Sequence, residues 1–229
     1  MKAKLSDFFY SAVALAVIFL TALAVVGWGL SPWVKVLVGD YFVVVNPLLF
    51  LLVYGVVSGV MMQILLKFKP LELGEFSMDS PVFSYWMLLT VIHKLAQGAL
   101  RPFTSVFTEP LFIRLFGARV GGNVALGGVI GEPFLVQIDD DVVLGYGSLI
   151  AGSIIADGKI ILGRVHVRKG ATVGVYAVAM GSIDIGENAK LVGGATLLPG
   201  SKIPAGEVWR GSPARKWISP AAATPKPES

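Results

Sequence analysis

A period of six residues constrains this chain more than any other feature. Aliphatic or small side chains stand at Ile138, Leu144 and Ile150, and again at Ile161, Val167, Val173, Ala179, Ile185, Leu191, Leu197 and Ile203. Such a period suits neither an amphipathic helix nor a simple alternating strand. Each hexad is read as a short extended segment that turns one large side chain inward. A small residue two places before the next inward position, as at Ala171, Ala189, Ala195 and Ser201, lets the chain turn. Three such segments close a triangular coil, and coils stack at the spacing of neighbouring strands. The pattern predicts a parallel β-helix over 120–218 with roughly four to five coils. Its two edges are expected to be covered by the helices before Val120 and by the segment after Ile203. One stretch, "LIAGSIIADGKIILGRV" from Leu149 to Val165, interrupts the repeat.

Before Val120 the composition changes. No charged residue occurs from Phe8 to Val34 or from Tyr41 to Leu66, and each stretch exceeds the roughly 20 apolar residues that cross a bilayer core. With 55% hydrophobic residues and a mean hydropathy of +0.73, the chain is more apolar than soluble domains are. Two transmembrane helices are expected within 1–70. A cleaved signal is disfavoured, because the first run exceeds the roughly 7–15 residues of a signal core and a second run follows at once. Lys2 and Lys4 precede the first run, Lys67 and Lys69 follow the second, and only Lys35 lies between. Cations favour the cytoplasmic side. This predicts a multi-pass protein of the cell membrane, with both termini and the β-helix cytoplasmic and Trp28, Trp33 and Tyr41 near the outer interface.

Residues 71–119 form a helical connector. In "DSPVFSYWMLLTVIHKLAQGALRP", Ser80 can cap a helix, Pro81 suits its first turn, and Gly98 with Pro102 ends it. Thr90, His93, Lys94 and Gln97 fall on a narrow polar stripe, which suits a helix at the membrane interface. The tail 219–229, "SPAAATPKPES", has the composition of a disordered segment.

Several chemistries drop out on composition. There is no cysteine, so disulfides, thiolate metal sites and cysteine nucleophiles are excluded. The two histidines, His93 and His166, cannot supply three zinc ligands, and no metal is expected. A net charge of +4 needs no nucleic acid to explain it, basic residues beside the apolar runs suit an anionic inner leaflet of a lipid bilayer, and no aromatic and basic pattern points to nucleic acid. The titratable candidates are few. His166 precedes the inward Val167 and should point outward. His93 lies on the polar stripe. Glu132 sits in the irregular "GEPF" segment and is a candidate base, while Asp139, Asp140 and Asp141 suit a corner turn, with Asp157 also near the interruption.

The hexads, the ending "IPAGEVWRGSPARKW" and the lead-in "LFGARVGGNV" resemble those of the hexapeptide-repeat acyltransferases. The two apolar runs, the connector "KPLELGEFSMDSPVFSYWML" and "IRLFGARVGGNV" are similar to one unit of the membrane terminal domain of ε-poly-lysine synthetase and its stand-alone relatives. This resemblance implies a left-handed β-helix, so that the whole fold is membrane α plus all-β: two transmembrane helices and an interfacial helix, then the left-handed parallel β-helix. It further implies a homotrimer and an acyl-CoA donor such as acetyl-CoA lying between neighbouring β-helices. A histidine would deprotonate an amine or hydroxyl acceptor, small or lipid-linked.

Family members commonly carry His-x-x-Glu in the interruption, where this chain has Ser153-Ile154-Ile155-Ala156. Both usual groups are missing, and Ser153 marks their place. The resemblance assigns the donor to the terminal coil, with Gly211, Ser212, Pro213 and Ala214 supplying backbone and Arg210, Arg215 and Lys216 meeting phosphates. Two functions are expected on this basis: a membrane-anchored acyltransferase using Ser153, His166, His93 or Glu132, or a non-catalytic homotrimeric scaffold or ligand-binding protein.

Overall fold

A computed structural model describes residues 5–105 and 107–218. Lys2, Lys4 and the tail 219–229 lie outside the described residues. The chain divides into two compact units, Met1–Gly117 with Ile155–Ile160, and Ala118–Ile154 with Ile161–Ser229.

In the first unit, helix α1 (Leu5–Ala24) runs through a π-helical turn (Val25–Leu30) into α2 (Ser31–Val38), and a 3-10 turn (Gly39–Tyr41) leads to α3 (Phe42–Phe68). No loop separates the two apolar stretches, so Phe8–Phe68 is one helical run, long and apolar enough to cross a membrane. The run folds back on itself. Asn46 Nδ2 donates to Ser31 Oγ at 2.8 Å, and the rings of Phe19 and Phe50 meet edge to face at 5.3 Å.

Helix α4 (Pro81–Leu100) starts at Ser80, whose Oγ accepts from the Phe83 N–H at 3.2 Å. It packs on α1 and α3, and α5 (Glu109–Leu115) also meets α3. Small residues on α3 permit this approach. A Cβ on Gly55 would come within 2.3 Å of Leu100 Cγ, and one on Gly59 within 2.3 Å of Leu115 Cγ. The polar stripe expected on α4 is split: His93 is buried, Thr90 half-buried, and Lys94 and Gln97 exposed.

The second unit is a parallel β-helix with three faces. The first face stacks Arg119–Val120, Val136–Ile138, Val165–Val167, Ile183–Ile185 and Lys202–Ile203. The second stacks Ala125–Leu126, Val143–Leu144, Thr172–Val173, Lys190–Leu191 and Val208–Arg210. The third stacks Val129–Ile130, Leu149–Ala151, Val178–Met180 and Thr196–Leu197. Neighbours within each face are parallel, so the chain makes four full coils and two strands of a fifth among the described residues. An antiparallel strand, Arg215–Lys216, pairs with Val208–Arg210 and occupies the last edge of the second face.

Register explains the hexads. Val120, Ile138, Val167, Ile185 and Ile203 form one inward column on the first face. Its members lie 18 residues apart, except that Ile138 and Val167 are 29 apart, which places an eleven-residue insertion between those two rungs. Most regular segments bury two residues rather than one: Val165 and Val167, Ala171 and Val173, Ile183 and Ile185, Ala189 and Leu191. The position two before the large inward residue is therefore core as well as corner, and its small size also answers to packing. Ile161 does not belong to the series. It is half-buried, while Ile160 and Leu162 are buried, because strand alternation in the inserted segment sets its own phase.

One corner also repeats in backbone conformation. Asn123, Asp141, Gly170, Asn188 and Gly206, in successive coils, all adopt positive φ between 51° and 71°. Asn, Asp and Gly enter that region at least cost.

The insertion forms two neighbouring strands, Ser153–Ala156 and Lys159–Leu162, around Asp157–Gly158. Those two residues have φ of 49° and 72°, the pair of left-handed conformations that a two-residue type I′ turn requires. The tip, Ile155–Ile160, belongs to the first unit. There, Lys159 forms an ion pair with Glu75, which lies in the strand Gly74–Ser77.

Candidate functional site

At the interruption, the irregular Glu132 segment precedes a 3-10 turn, Pro133–Leu135. Glu132 is 5% exposed. Its Oε2 accepts from the Gly152 N–H at 3.0 Å, and its Oε1 accepts from Ser153 Oγ at 2.7 Å. Ser153 is itself buried. The carboxylate and hydroxyl therefore satisfy one another in the β-helix, which is how a polar pair is tolerated in a core. Ala156, the other end of the tetrad, is exposed.

His166 lies on the first face between buried Val165 and Val167, its ring turned outward. Its Nε2 stands 2.9 Å from Asp139 Oδ2, and Gln137 Nε2 donates to Asp139 Oδ1 at 3.2 Å. A carboxylate only accepts, so the hydrogen in this contact belongs to Nε2, and Nδ1 is left as the basic nitrogen of a neutral ring. The side chains are 27% and 33% exposed. Asp140 and Asp141 have the corner role expected of them: Asp140 Oδ1 accepts from the Gly122 N–H, and Asp141 Oδ1 from Asn123 Nδ2. Asp139 departs from that role, because its side chain is recruited by His166.

The next rung extends the polar surface. Asp184 is the register partner of His166, and Arg168 grips it with Nε to Oδ1 at 2.8 Å and Nη2 to Oδ2 at 2.9 Å. The hydrogen bond from Arg168, reinforced by the charges of Arg168 and Lys202, holds the Asp184 carboxyl below the usual carboxylate range. The same contact raises Arg168 further.

At the C-terminal end, Arg210 and Arg215 face each other across the antiparallel pair. The turn between them is anchored to the third face, with Thr196 N–H donating to Gly211 O and Ala214 N–H to Thr196 O. Ala214 is buried, and Gly211, Ser212 and Pro213 are exposed. The Lys216 ammonium is engaged by Glu207, which also accepts from Trp209 Nε1 at 2.9 Å. Those two donors hold the Glu207 carboxyl low, Lys216 contributing more. Arg210 lies over the Trp217 ring, 5.3 Å from its centroid.

His93 belongs to none of these groups. It is buried in the first unit, edge to face with Phe116 at 5.0 Å, and acts as a packing residue. A candidate metal cluster is absent among the described residues. Sequence reasoning placed Glu132, Ser153 and His166 as separate candidates; the structure joins the first two and gives the third a partner, Asp139. The signal for that partner is the first-face register, in which Asp139 stands two residues beyond Gln137, the register partner of His166.

The fold and site thus define a parallel β-helix with a polar outer column and a closed insertion, carried on a chain with a long apolar helical run. No family model matches it. In sequence it is 29% identical, over 107 residues and 46% of its length, to delta-poly-L-ornithine synthetase from Acinetobacter baumannii (strain AB307-0294), of which it spans 8%.

Its structural neighbours are acetyltransferases. They include serine acetyltransferase from Brucella abortus strain S19 (TM-score 0.40, 18% identity, 72% of this chain and 56% of that one). Another is a maltose O-acetyltransferase from Clostridium difficile 630 (0.41, 17%, 63% and 91%). A third is a hexapeptide-repeat-containing acetyltransferase from Vibrio cholerae O1 biovar eltor, complexed with acetyl coenzyme A (0.40, 11%, 50% and 77%). The chain spans little more than half of the first of these.

Proposed function

We propose that this protein is a membrane-anchored acyltransferase in which His166 is the general base. The observation that carries the proposal is the His166–Asp139–Gln137 chain: an accessible imidazole, oriented by a carboxylate that is itself oriented. General bases are arranged in this way. His166 Nδ1 accepts the proton of an amine or hydroxyl acceptor, and Asp139 holds the ring in the required tautomer. An acyl-CoA supplies the activated acyl group when bound.

The terminal turn fits such a donor through Arg210 and Arg215, exposed guanidiniums on one rung that suit phosphates. Gly211, Ser212 and Pro213 offer exposed backbone beside them. Lys216 fits less well, since Glu207 already neutralises it.

In this proposal α1 and α3 each cross the bilayer, a reading supported by their exposed apolar surfaces at Phe9, Leu20, Val43 and Val60. Trp28, Trp33 and Tyr41, all strongly exposed, lie at the outer interface. Cation placement puts both termini and the β-helix at the cytoplasmic face, where a lipid-linked or small acceptor is met. The β-helix is left-handed and three copies form a homotrimer, as the family resemblance implies.

A second proposal, a non-catalytic trimeric scaffold, draws on the closed Glu132–Ser153 pair at the position of the usual motif. Acetyl-CoA titration of the detergent-solubilised full chain separates the two. Saturable binding, abolished in a Pro213→Ala and Arg215→Ala double variant, is expected of the transferase. No binding at millimolar acetyl-CoA leaves the scaffold. An acceptor screen with His166→Gln as control then tests the base.

A further inference from the structure

Beside His166 the first face carries a groove of about 340 Å³, lined by Arg168, Asp184, Glu187, Lys202, Ile203 and Pro204. Its volume falls at the lower end of the roughly 300–1,000 Å³ of small-ligand sites. His166, Asp184 and Lys202 are consecutive rungs of one outward column, spaced by about 4.8 Å per strand. The groove is therefore within two rungs of the His166 ring. Pro204 and Ala205 give it an apolar side.

Its charges balance: Arg168 and Lys202 against Asp184 and Glu187. Arg168 and Asp184 are committed to each other through two hydrogen bonds. Lys202 and Glu187 are in no ion pair among the described residues. Their charges reach Asp184 and Arg168, but they form no ion pair with either, so one cation and one anion stand on the walls of a small groove. A ligand with only an ammonium meets Lys202 as a repulsive charge, and a ligand with only a carboxylate meets Glu187. A ligand carrying both groups satisfies both walls.

Resting on the assignment of His166 as base, we infer that this groove binds the acceptor as a zwitterion, an α-amino acid with a small apolar side chain. Its carboxylate pairs with Lys202, its ammonium with Glu187, and its side chain lies on Pro204 and Ala205. In the transfer the ammonium loses one proton to water and the resulting amine loses a second to His166. The C–N bond forms as the thioester C–S bond breaks, and His166 returns its proton to the departing thiolate.

The test is calorimetric titration of the full chain in detergent with three probes: L-alanine, L-alanine ethyl ester and propionate. Saturable L-alanine binding is expected, about tenfold or more tighter than either half-ligand, the worth of one charge-assisted hydrogen bond. Lys202→Met should weaken L-alanine by a similar factor and bind the ester more tightly than the parent does, because the repulsion is gone, and Glu187→Gln should do the same for L-alanine and propionate. In the parent, equal binding of all three probes, tighter binding of the ester than of L-alanine, or no saturable L-alanine binding overturns the inference.

Acyl transfer is scored separately. L-alanine binding without transfer from acetyl-CoA keeps the groove and removes the transferase assignment. Transfer to the ethyl ester as readily as to L-alanine keeps the transferase and overturns the groove's selectivity.

Discussion

Two carboxylates in the β-helix hold polar partners at similar distances and in opposite settings. Glu132 receives Ser153 Oγ at 2.7 Å and the Gly152 N–H at 3.0 Å inside the interruption, and both side chains are buried. Asp139 receives His166 Nε2 at 2.9 Å on a regular coil, and both side chains are partly open to solvent. In the first pair the serine hydroxyl spends its only hydrogen on the carboxylate. In the second, the imidazole spends one nitrogen and keeps the other. A polar pair that satisfies itself in a core contributes to stability, whereas one with an unused, accessible basic nitrogen can move a proton. In the function proposed above, this difference is the reason to look for the base outside the segment where the resemblance implies it.

The most direct way to break this comparison is to remove each partner and assay acyl transfer per folded molecule. His166→Gln is expected to lower the rate about 10²- to 10⁴-fold, the usual worth of a general base, with an unchanged melting temperature. Ser153→Ala is expected to leave the rate within a few-fold. The reverse pattern would return the reaction to the interruption and make His166 a surface residue.

Stability sharpens the contrast from the other side. Glu132→Ala leaves the Gly152 N–H and the Ser153 hydroxyl buried without an acceptor, at about 1–3 kcal/mol for each unsatisfied group. A loss of roughly 2–6 kcal/mol is expected in thermal unfolding. Glu132→Gln, which keeps one carbonyl acceptor, should lose about half of that. Asp139→Asn leaves an exposed surface and should hardly change unfolding. It should still lower transfer roughly tenfold to a hundredfold, part of the general-base contribution, because an amide does not favour one His166 tautomer. If Asp139→Asn instead destabilises as much as Glu132→Ala, the two pairs are alike and the open site is structural.

The coils were legible in the sequence because their physics is local and periodic: Val167, Val173, Ala179, Ile185, Leu191, Leu197 and Ile203 stand at the expected spacing and are buried. Ile161 misled, since the inserted hairpin also alternates and imitates the repeat for one step while burying Ile160 and Leu162. The Asp157–Gly158 turn was visible only as composition, and its type follows from two adjacent positive φ values. The site was less legible, because its pairings cross coils. Ser153 and Glu132 are 21 residues apart and His166 and Asp139 are 27 apart; neither number is a multiple of six. The register brings them together: Ile130 lies beside Ile150, 20 residues on, and Gln137 lies beside His166 across the eleven extra residues. His93 shows a different limit: a polar stripe on a helical wheel does not reveal that Phe116, outside the helix, covers the ring.

The smallest expected effect lies next to the open pair and depends on pH. Arg168 holds the Asp184 carboxyl below its ordinary range, so the unfolded chain takes up that proton at a higher pH than the folded one. The stabilisation is therefore complete above the ordinary carboxylate range and is lost as pH falls through the lower, folded value. Both side chains are substantially exposed, at 44% and 34%, and solvent screening keeps the contribution of such a pair small. Arg168→Gln is expected to unfold at slightly lower temperature than the parent at neutral pH, and the gap should close in acid. A gap that persists in acid would assign Arg168 a packing role, through its stem, rather than an electrostatic one. A gap at neutral pH as large as that of Glu132→Ala would mean that the polar column on the first face is as closed as the interruption, and the contrast between the two carboxylates would no longer hold.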